Sequence, residues 1–320
     1  MSESPTTVGF VGLGAMGAPI ARRLLEAGVP LVVHNRTREK AEGLLAAGAR
    51  WAETPRDVGR AATGQAIFTL LSDAKAVRTV LFGRSGLARG AGPGTLIVDL
   101  STVTPEESRS FAERLARRGI HFLDAPLGGS TDAAAEGRLL VFVGGSTDDL
   151  ARAGPLLDRF ARRVELLGPV GAGSSMKLVN NLLSIGHVAL ASEGLALVQG
   201  FGLDRGRAIE LLLDGGGESR MLGVKKEAFL RQEYPTRFRL ALARKDLALI
   251  DRAARDAGGS ARITREVRRL FDEAIAQGLG ERDFASVLET ALARRRGGGP
   301  SAGTPRTPSP ATSDEGPRAP

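Results

Sequence analysis

Lys177 and Asn181 are the side chains of this sequence whose types and spacing best suit proton transfer. They stand four residues apart, so on a helix they share one face. The pattern places Lys177 in the first turn of a long helix, where the positive partial charge of the helix N-terminus disfavours an ammonium, as burial in a cleft also does. Both effects lower a lysine pKa toward the range useful for acid–base chemistry near neutral pH. The alternative is a surface lysine beside two amides, here those of Asn180 and Asn181, and the spacing taken alone favours it.

A second charged pair, Lys245-Asp246, interrupts an apolar helical segment at 240–250. Such a pair lies either on the solvent face of its helix or in a cleft, and the pattern by itself favours the solvent face. The three histidines, His34, His121 and His187, are far apart, and none has metal-ligand spacing with another histidine or a nearby carboxylate. We therefore expect no metal site.

A glycine turn near the start of the sequence indicates which cofactor such a lysine would serve. Its residues are Gly12, Leu13, Gly14, Ala15, Met16 and Gly17. They have the G-x-G-x-x-G spacing between an apolar run and a helical pattern, which is typical of a dinucleotide site: a tight turn, a close approach of backbone to pyrophosphate, and close packing of helix on strand. The alternative is a plain strand–turn–helix, but a second strand ends about 20 residues later, as a dinucleotide site requires.

The residues after that second strand, Asn35, Arg36 and Thr37, indicate which dinucleotide is preferred. NAD sites usually have Asp or Glu here for the ribose 2′-hydroxyl, whereas this sequence has no carboxylate before Glu39. The guanidinium groups of Arg36 and Arg38 match the oxygens of a 2′-phosphate. The alternative is two solvated arginines at the start of a surface helix. We expect NADP to be preferred, with NAD possible.

Short apolar runs alternate with amphipathic segments through the first 170 residues. We predict strands at 8–11, 31–34, 66–71, 96–100 and 121–123, helices at 19–27, 38–47, 74–82 and 105–118, and further strands at 139–144 and 164–167. This alternation predicts an α/β fold of the Rossmann type, with a doubly wound parallel sheet. Ligands of such sheets bind beyond the carboxyl ends of the strands. The segments that follow those ends are Leu71-Ser72, Ser101-Thr102 and the loop Gly128-Gly129-Ser130, which is either a small anion nest or a plain glycine turn.

From the glycines at 171–173 onward, only helical patterns follow. We predict helices at 174–199, 205–213, 225–231, 240–257, 261–277 and 284–294. The sequence therefore predicts an NADP-binding domain over 1–170, an all-helical domain over 171–296 joined to it by a long interdomain helix, and a disordered Gly/Pro/Ser-rich tail over 297–320.

Composition excludes several classes of protein. Without cysteine there are no disulfides, thiolate metal sites or cysteine nucleophiles, which fits a reducing cytoplasm. The first residues do not have the pattern of a secretory signal, and no uninterrupted apolar run reaches the roughly 18 residues of a membrane span. The net charge of +8 raises nucleic-acid binding as a possibility, but the arginines are interleaved with Asp and Glu on helical segments. We expect a cytoplasmic protein that binds neither nucleic acid nor membrane.

Four motifs, in this order, resemble the β-hydroxyacid dehydrogenase family, which includes 3-hydroxyisobutyrate dehydrogenase. Residues 9–17 are similar to its cofactor signature, 124–130 to its substrate loop, 171–181 to its catalytic motif and 245–247 to a further cofactor and substrate element. The resemblance covers residues 8–292. It implies reversible hydride transfer between a nicotinamide and a small 3-hydroxy acid or its semialdehyde, and a homodimer or homotetramer formed through the helical domain.

The resemblance also implies residue roles. Lys177 is the general acid/base, and Asn181 orients the substrate and the lysine. The residues implied to contact the carboxylate substrate are Thr102, Gly128, Gly129, Ser130, Asn180 and Lys245. Those implied or expected to contact the cofactor are the glycine turn 12–17, Asn35, Arg36, Thr37, Leu71, Ser72, Thr102 and Lys245.

The substrate loop departs from the family pattern Asp-x-Pro-Val-Ser-Gly-Gly, because Gly128 replaces the serine and Ser130 the last glycine. In this it is nearer to the branch that contains sulfolactaldehyde reductase, yet Gly129 stands where that branch has an arginine. The Asn35-Arg36-Thr37 element instead resembles NADP-dependent glyoxylate and succinic semialdehyde reductases. Two alternatives stay open: an imine reductase, which shares the fold but usually lacks the lysine, and a non-enzymatic nucleotide-sensing or nucleic-acid-associated scaffold.

Overall fold

A six-stranded parallel sheet forms the first half of the protein, in a computed structural model that describes residues 7–297 and the side chains of 7–294. The strands are β1 (Val8–Val11), β2 (Leu31–His34), β3 (Arg50–Trp51), β4 (Ala66–Thr69), β5 (Leu96–Asp99) and β6 (His121–Asp124), in the order β3-β2-β1-β4-β5-β6. This is the strand order of doubly wound dinucleotide-binding sheets, so the predicted fold is confirmed.

Five helices cover this sheet. They are α1 (Gly17–Glu26), α2 (Glu42–Ala46), α3 (Pro55–Ala61), α4 (Ala74–Phe82) and α5 (Pro105–Ala116). Because neighbouring strand residues point to opposite faces, Phe10 and Phe68 belong to one apolar cluster, whereas Val11 and Ile67 belong to another. The predicted helix at 38–47 is a 3₁₀ turn, Arg38–Ala41, followed by α2. The sequence patterns missed β3 and α3.

A smaller sheet follows the large one. It contains β7 (Leu127–Gly128), β8 (Leu139–Val143) and β9 (Ala161–Leu166), with α6 (Thr131–Ala135) and α7 (Thr147–Leu157) between the strands. The predicted strands at 139–144 and 164–167 therefore exist, but they pair in this second sheet and not in the large one. Strand β7 and helices α6 and α7 were not predicted.

All later elements within the described residues are helical: α8 (Ala172–Gly200), α9 (Arg205–Asp214), α10 (Arg220–Arg231), α11 (Leu240–Asp256), α12 (Arg262–Ala276) and α13 (Val287–Gly297), with a 3₁₀ turn before α13. Helix α8 packs against β6, β7, β8 and α5 of the first half of the protein and against α10–α13 of the second half. It is thus the predicted interdomain helix. The predicted tail, 297–320, lies outside the described residues apart from Gly297.

By length and composition, α8 is the one helix within residues 7–297 that is long and apolar enough to cross a membrane. In this structure 39% of its most apolar window is buried. Its contacts with both halves of the protein account for those buried apolar residues, among them Ile185, Val188 and Leu195.

Candidate active site

The glycine turn after β1 has the geometry that its spacing predicts. Gly12 has a φ of +106°, and a Cβ on it would overlap the carbonyl oxygen of Leu70, so only glycine fits. A Cβ on Gly17 would overlap the carbonyl oxygen of Gly12, whereas a Cβ on Gly14 would meet nothing within 4 Å. Two glycines therefore pack the turn against the protein, and the third leaves open space beside the start of α1. This arrangement fits the pyrophosphate of a dinucleotide.

The end of β2 carries the residues predicted to read the ribose. The side chain of Asn35 accepts a hydrogen bond from the Leu13 N–H (3.0 Å) and donates one to the Thr37 carbonyl (2.8 Å). It therefore ties the glycine turn to this loop. Arg38 forms an exposed ion pair with Glu53 at 3.3 Å. Arg36 is exposed and has no ion pair among the described residues, so it is the guanidinium left available here.

A buried carboxyl organises the loops after β4 and β5. Asp99, 1% exposed, accepts hydrogen bonds from the hydroxyls of Thr69 (2.7 Å) and Ser101 (2.6 Å). The Ser101 hydroxyl in turn accepts one from the Leu71 N–H at 2.9 Å. Burial raises the pKa of Asp99. This network fixes the loop that contains Leu71 relative to the one that contains Thr102.

Lys245 reaches these same loops from the helical half of the protein. Its Nζ donates to the carbonyl oxygens of Ser72 (2.8 Å) and Thr102 (3.3 Å). It also lies 3.1 Å from an oxygen of Asp246 as an ion pair. A cation of α11 therefore spans the cleft at the carboxyl edge of the large sheet.

Asp246 faces inward, so the solvent face that the pattern favoured for this pair is wrong. It is 2% exposed, because it lies three residues after the buried Ala243 and four before the buried Ile250, on the same face of α11. Its Oδ2 accepts a hydrogen bond of 2.6 Å from the side-chain amide of Asn181. The structure thus joins the two motifs that were separate in sequence, and Asp246 is the site residue that the patterns misplaced.

Asn180, the neighbour of Asn181, donates from its amide to the Asn181 side-chain oxygen at 3.2 Å. Both polar groups of the Asn181 side chain are thereby satisfied, which its burial requires. The amide pair is held in one orientation beneath Asp246.

Lys177 is partly buried in this cluster, and its Nζ has no hydrogen-bond partner among the described residues. Burial lowers its pKa from 10.5 to about 8; the negative charge of Asp246 partly opposes this shift and the positive charge of Lys245 adds to it. The expected position in the first turn is wrong, because α8 begins at Ala172 and Lys177 is in its second turn. The helix dipole is weak beyond the first turn, so desolvation is the cause of the shift.

The start of α8 is fixed by a carboxyl of the large sheet. Asp124, at the end of β6, accepts hydrogen bonds from the N–H groups of Gly171 and Ser174, both at 2.7 Å. Burial raises its pKa to about 6, although these two bonds oppose the shift. Gly173 has no room for a Cβ, which would overlap the carbonyl oxygen of Phe142. Asp124 therefore caps the helix that carries Lys177.

The predicted substrate loop follows β6 directly. Gly128 pairs with Leu140 in the small sheet, Gly129 has a φ of +136°, and the Ser130 hydroxyl caps α6 by accepting from the Ala133 N–H at 3.3 Å. Strand β7 packs against α8. Among the described residues, no hydrogen bond or ion pair connects this loop directly to Lys177. In the same part of the chain, no group of His, Cys, Asp or Glu is arranged to hold a metal ion.

Comparisons with known proteins agree with this geometry. The profile of the NAD binding domain of 6-phosphogluconate dehydrogenase matches residues 7–168, and that of the NAD-binding domain of NADP-dependent 3-hydroxyisobutyrate dehydrogenase matches residues 171–291. Glyoxylate/succinic semialdehyde reductase 2 of Arabidopsis thaliana is 32% identical over 90% of this chain and 80% of its own length. The 2-hydroxy-3-oxopropionate reductase of Escherichia coli is 32% identical over 88% of this chain and 96% of its own.

Solved structures are similar as well. A 3-hydroxyisobutyrate dehydrogenase from Salmonella typhimurium superposes with a TM-score of 0.79 at 29% identity, covering 88% of this chain and 99% of its own. An imine reductase from Myxococcus stipitatus in complex with NADP⁺ gives a TM-score of 0.61 at 20% identity, covering 89% of this chain and 99% of its own. At that identity the second likeness concerns the fold alone.

Proposed function

The chain belongs to the NAD(P)-dependent hydroxyacid dehydrogenases, an oxidoreductase family that includes 3-hydroxyisobutyrate dehydrogenase, and on that premise we propose a narrower activity: an NADP-preferring reduction of small semialdehydes to 3-hydroxy acids, reversible, with Lys177 as the general acid/base. The observation that carries the proposal is the Lys177 amine, partly buried, unpaired among the described residues and with a pKa of about 8. A group of that pKa exchanges protons readily near neutral pH.

The proposed chemistry divides between the cofactor and the residues of the cleft. The bound nicotinamide supplies or accepts the hydride. In reduction, Lys177 donates its proton to the oxygen of the aldehyde as it becomes an alkoxide, and its cationic form stabilises the charge that develops there. In oxidation the neutral amine removes the hydroxyl proton. Asn181, fixed by Asp246, orients the lysine and the substrate oxygen.

Cofactor preference rests on the loop after β2. Arg36 is exposed and forms no ion pair with any described residue, and the strand end beside it has Asn35 and Thr37 but no carboxylate, which favours the 2′-phosphate of NADP. Two of the relatives reduce glyoxylate or succinic semialdehyde by name. The turn 12–17, Leu71, Ser72, Thr102 and Lys245 complete the proposed cofactor site.

The proposed carboxylate site lies in the loop Gly128-Gly129-Ser130, with Asn180, Thr102 and Lys245 as further contacts. Gly129 has a φ of +136°, a conformation in which any other residue would be strained, so its backbone has no side chain of its own beside it. Gly129 stands where the sulfolactaldehyde reductase branch has an arginine, and Gly128 where the family pattern has a serine, so this loop has no guanidinium for a sulfonate. We infer that the substrate anion is a carboxylate.

We further propose that a second copy of the chain covers the outer face of α8, giving a homodimer or homotetramer. Val179, Leu183, Leu190 and Leu197 are 50–62% exposed there at helical spacing. On this reading residues 1–170 bind the cofactor and residues 171–296 supply substrate contacts and the oligomer interface. A cytoplasmic location stays a prediction of the sequence.

The test is steady-state oxidation of NADPH with Lys177→Ala over a panel of succinic semialdehyde, glyoxylate, tartronate semialdehyde, methylmalonate semialdehyde and sulfolactaldehyde. Loss of the general acid should lower kcat by about 10²–10⁴-fold and leave the affinity for NADPH nearly unchanged. Lys226→Ala, a surface lysine paired with Glu210, is the control and should retain full turnover. Unchanged turnover in Lys177→Ala, or turnover of a cyclic imine but of no aldehyde, would remove the proposal.

A further inference from the structure

A cavity lies far from the carboxyl edge of the sheet. It has a volume of about 560 Å³ and is lined by Phe82, Ala88, Arg89, Arg114, Arg117 and Arg118. These residues come from the end of α4, the 3₁₀ turn Leu87–Arg89 and the end of α5. Because α4 and α5 run back toward the amino ends of β5 and β6, this arginine groove is at the edge of the sheet opposite to the site of Lys177.

The arginines of the groove have no acidic partners. None of the four is in an ion pair with another described residue; Arg118 donates to the carbonyl oxygen of Ala88 at 2.9 Å, and Arg114 lies 3.8 Å from the ring centre of Phe82. Glu113, the nearest carboxylate in sequence, is exposed and is in no ion pair with them either.

Several arginines elsewhere in this protein form ion pairs with a nearby carboxylate, although others, such as Arg36, do not among the described residues. Asp251 alone is in ion pairs with Arg255, Arg265 and Arg268, and Arg282 pairs with Glu289. What distinguishes the groove is that four arginines without an ion pair among the described residues line one cavity.

The ends of the two helices account for only part of this charge. Cations at a helix C-terminus interact favourably with its partial negative charge of about half an electron. Two helix ends thus offset roughly one of the four guanidinium charges. An excess of about three positive charges remains around one cavity, and this excess attracts anions from solution.

We propose that the arginine groove binds a small oligophosphate, either free or as the phosphate chain of a nucleotide. Guanidinium groups match phosphate oxygens bidentately, and several converging cations require a ligand with several negative charges. The cavity is within the range of about 300–1,000 Å³ that small molecules occupy. A nucleic acid would instead need a basic stripe that continues along the surface, and these four arginines surround one compact cavity.

The experiment measures tripolyphosphate binding to the full chain by isothermal titration calorimetry at about 150 mM salt, where surface charges are screened beyond about 8 Å. With NADP⁺ present at saturation, so that the proposed cofactor site is already occupied, wild type should bind one tripolyphosphate per chain. The double variant Arg89→Ala/Arg117→Ala should bind at least about tenfold more weakly, since two charge-assisted contacts are removed.

The matched control is Arg159→Ala/Arg162→Ala, which removes two exposed arginines that make no ion pair among the described residues. It should bind as wild type does. Because neither double variant removes an ion pair, both should keep the wild-type melting temperature, so a loss of binding reports the groove.

A second arm identifies the source of the phosphate. ATP that binds as tightly as tripolyphosphate, and competes with it, assigns the groove to a nucleotide's phosphate chain; tripolyphosphate alone assigns it to free oligophosphate. Either result supports the proposal. It is overturned when wild type does not bind tripolyphosphate at this salt, when the groove variant binds as tightly as wild type or no more weakly than the control, or when duplex DNA binds there and tripolyphosphate does not displace it.

Discussion

The strongest prediction concerns the pH dependence of turnover, because it follows from one amine. With the ordinary pKa of 10.5, about one Lys177 in three thousand is neutral at pH 7; with a pKa of about 8, about one in eleven is. The fraction competent to act as a base in oxidation is therefore about 300-fold larger. The ammonium form needed for reduction still predominates at pH 7, so the one residue can serve both directions.

The two directions should consequently show mirror-image pH profiles. Reduction of the aldehyde should be flat below pH 8 and fall about tenfold per unit above it, whereas oxidation of the hydroxy acid should rise until pH 8 and then level off. Both are followed by NADPH absorbance as kcat/KM under saturating cofactor. A common midpoint near 8 is the expected result.

The perturbation is Asp246→Asn, which keeps the shape of the side chain and removes the charge that raises the Lys177 pKa. We expect the common midpoint to fall by about one unit, the low end of the effect of an opposite charge within 4–6 Å. Lys245→Met, which removes a like charge, should move it upward. Asp256→Asn on the same helix is the control: it lies about 15 Å farther along α11, beyond the screening length.

One pattern of results would refute the reasoning. Asp246→Asn could fold, as an unchanged circular dichroism spectrum would show, and still have the same midpoint of its pH profile as Asp256→Asn. In that case Lys177 is not the group that titrates. A different midpoint in the two directions would contradict a single acid/base.

Three further predictions follow. Arg36→Ala should weaken NADPH binding by about 10–100-fold and NADH binding hardly at all, because it removes charge-assisted bonds to the 2′-phosphate; fluorescence titration with both cofactors measures this, and equal losses would contradict the assignment. Gly14→Ala should melt like wild type yet bind NADPH poorly, because its Cβ enters open space where the pyrophosphate would lie. Gly12→Ala should instead be destabilised even without cofactor, because its φ is +106° and its Cβ would overlap backbone. Calorimetry of both variants separates the two effects. Asp124→Ala should lower the free energy of unfolding in urea by about 2 kcal/mol or more, since two buried N–H groups lose their acceptor. In the folded protein the pKa of Asp124 is raised from 3.8 to about 6, so its protonation stabilises the folded state increasingly as the pH falls from 6 toward 3.8. The free energy of unfolding of wild type should therefore rise relative to that of Asp124→Asn in that pH range. A relative rise above pH 6 would contradict the direction of the pKa shift.

The large sheet was predictable because its signals are local. Each of its strands of four residues is an apolar run in the sequence. Helices α4 and α5 begin at the capping residues Asp73 and Thr104, whose side chains accept hydrogen bonds from backbone N–H groups of the first turn. Helix α7 was missed because Gly154 and Pro155 lie inside it, although Ser146 and Asp149 supply a usable start signal. Helix α3 likewise has Thr54 and Pro55 at its start, but it is short and contains Gly59.

The site was predictable only in part, because its contacts join distant segments. The spacing of Lys177 and Asn181 gave the shared helix face, but nothing local indicates that Asn181 bonds Asp246, 65 residues away. The inward position of Asp246 could have been predicted from the helical spacing of the apolar residues Leu240, Ala243, Leu247 and Ile250, which the structure shows to be buried. The exact start of α8 could not be predicted, because the carboxyl that caps it belongs to a residue 47 positions earlier in the chain.

That cap has a consequence for chimaeras of this protein. Asp124 ends a strand of one half, and Gly171 and Ser174 begin the other, so one side chain and two backbone amides join the halves at the point where the chain passes between them. A recombinant that takes its first 170 residues from one parent and the remainder from another inherits this junction from both. Hybrids of parents that both keep these three residues should start α8 in the same place and so keep Lys177 in position, whereas hybrids that lose one of the three should hold Lys177 less firmly even when each half folds.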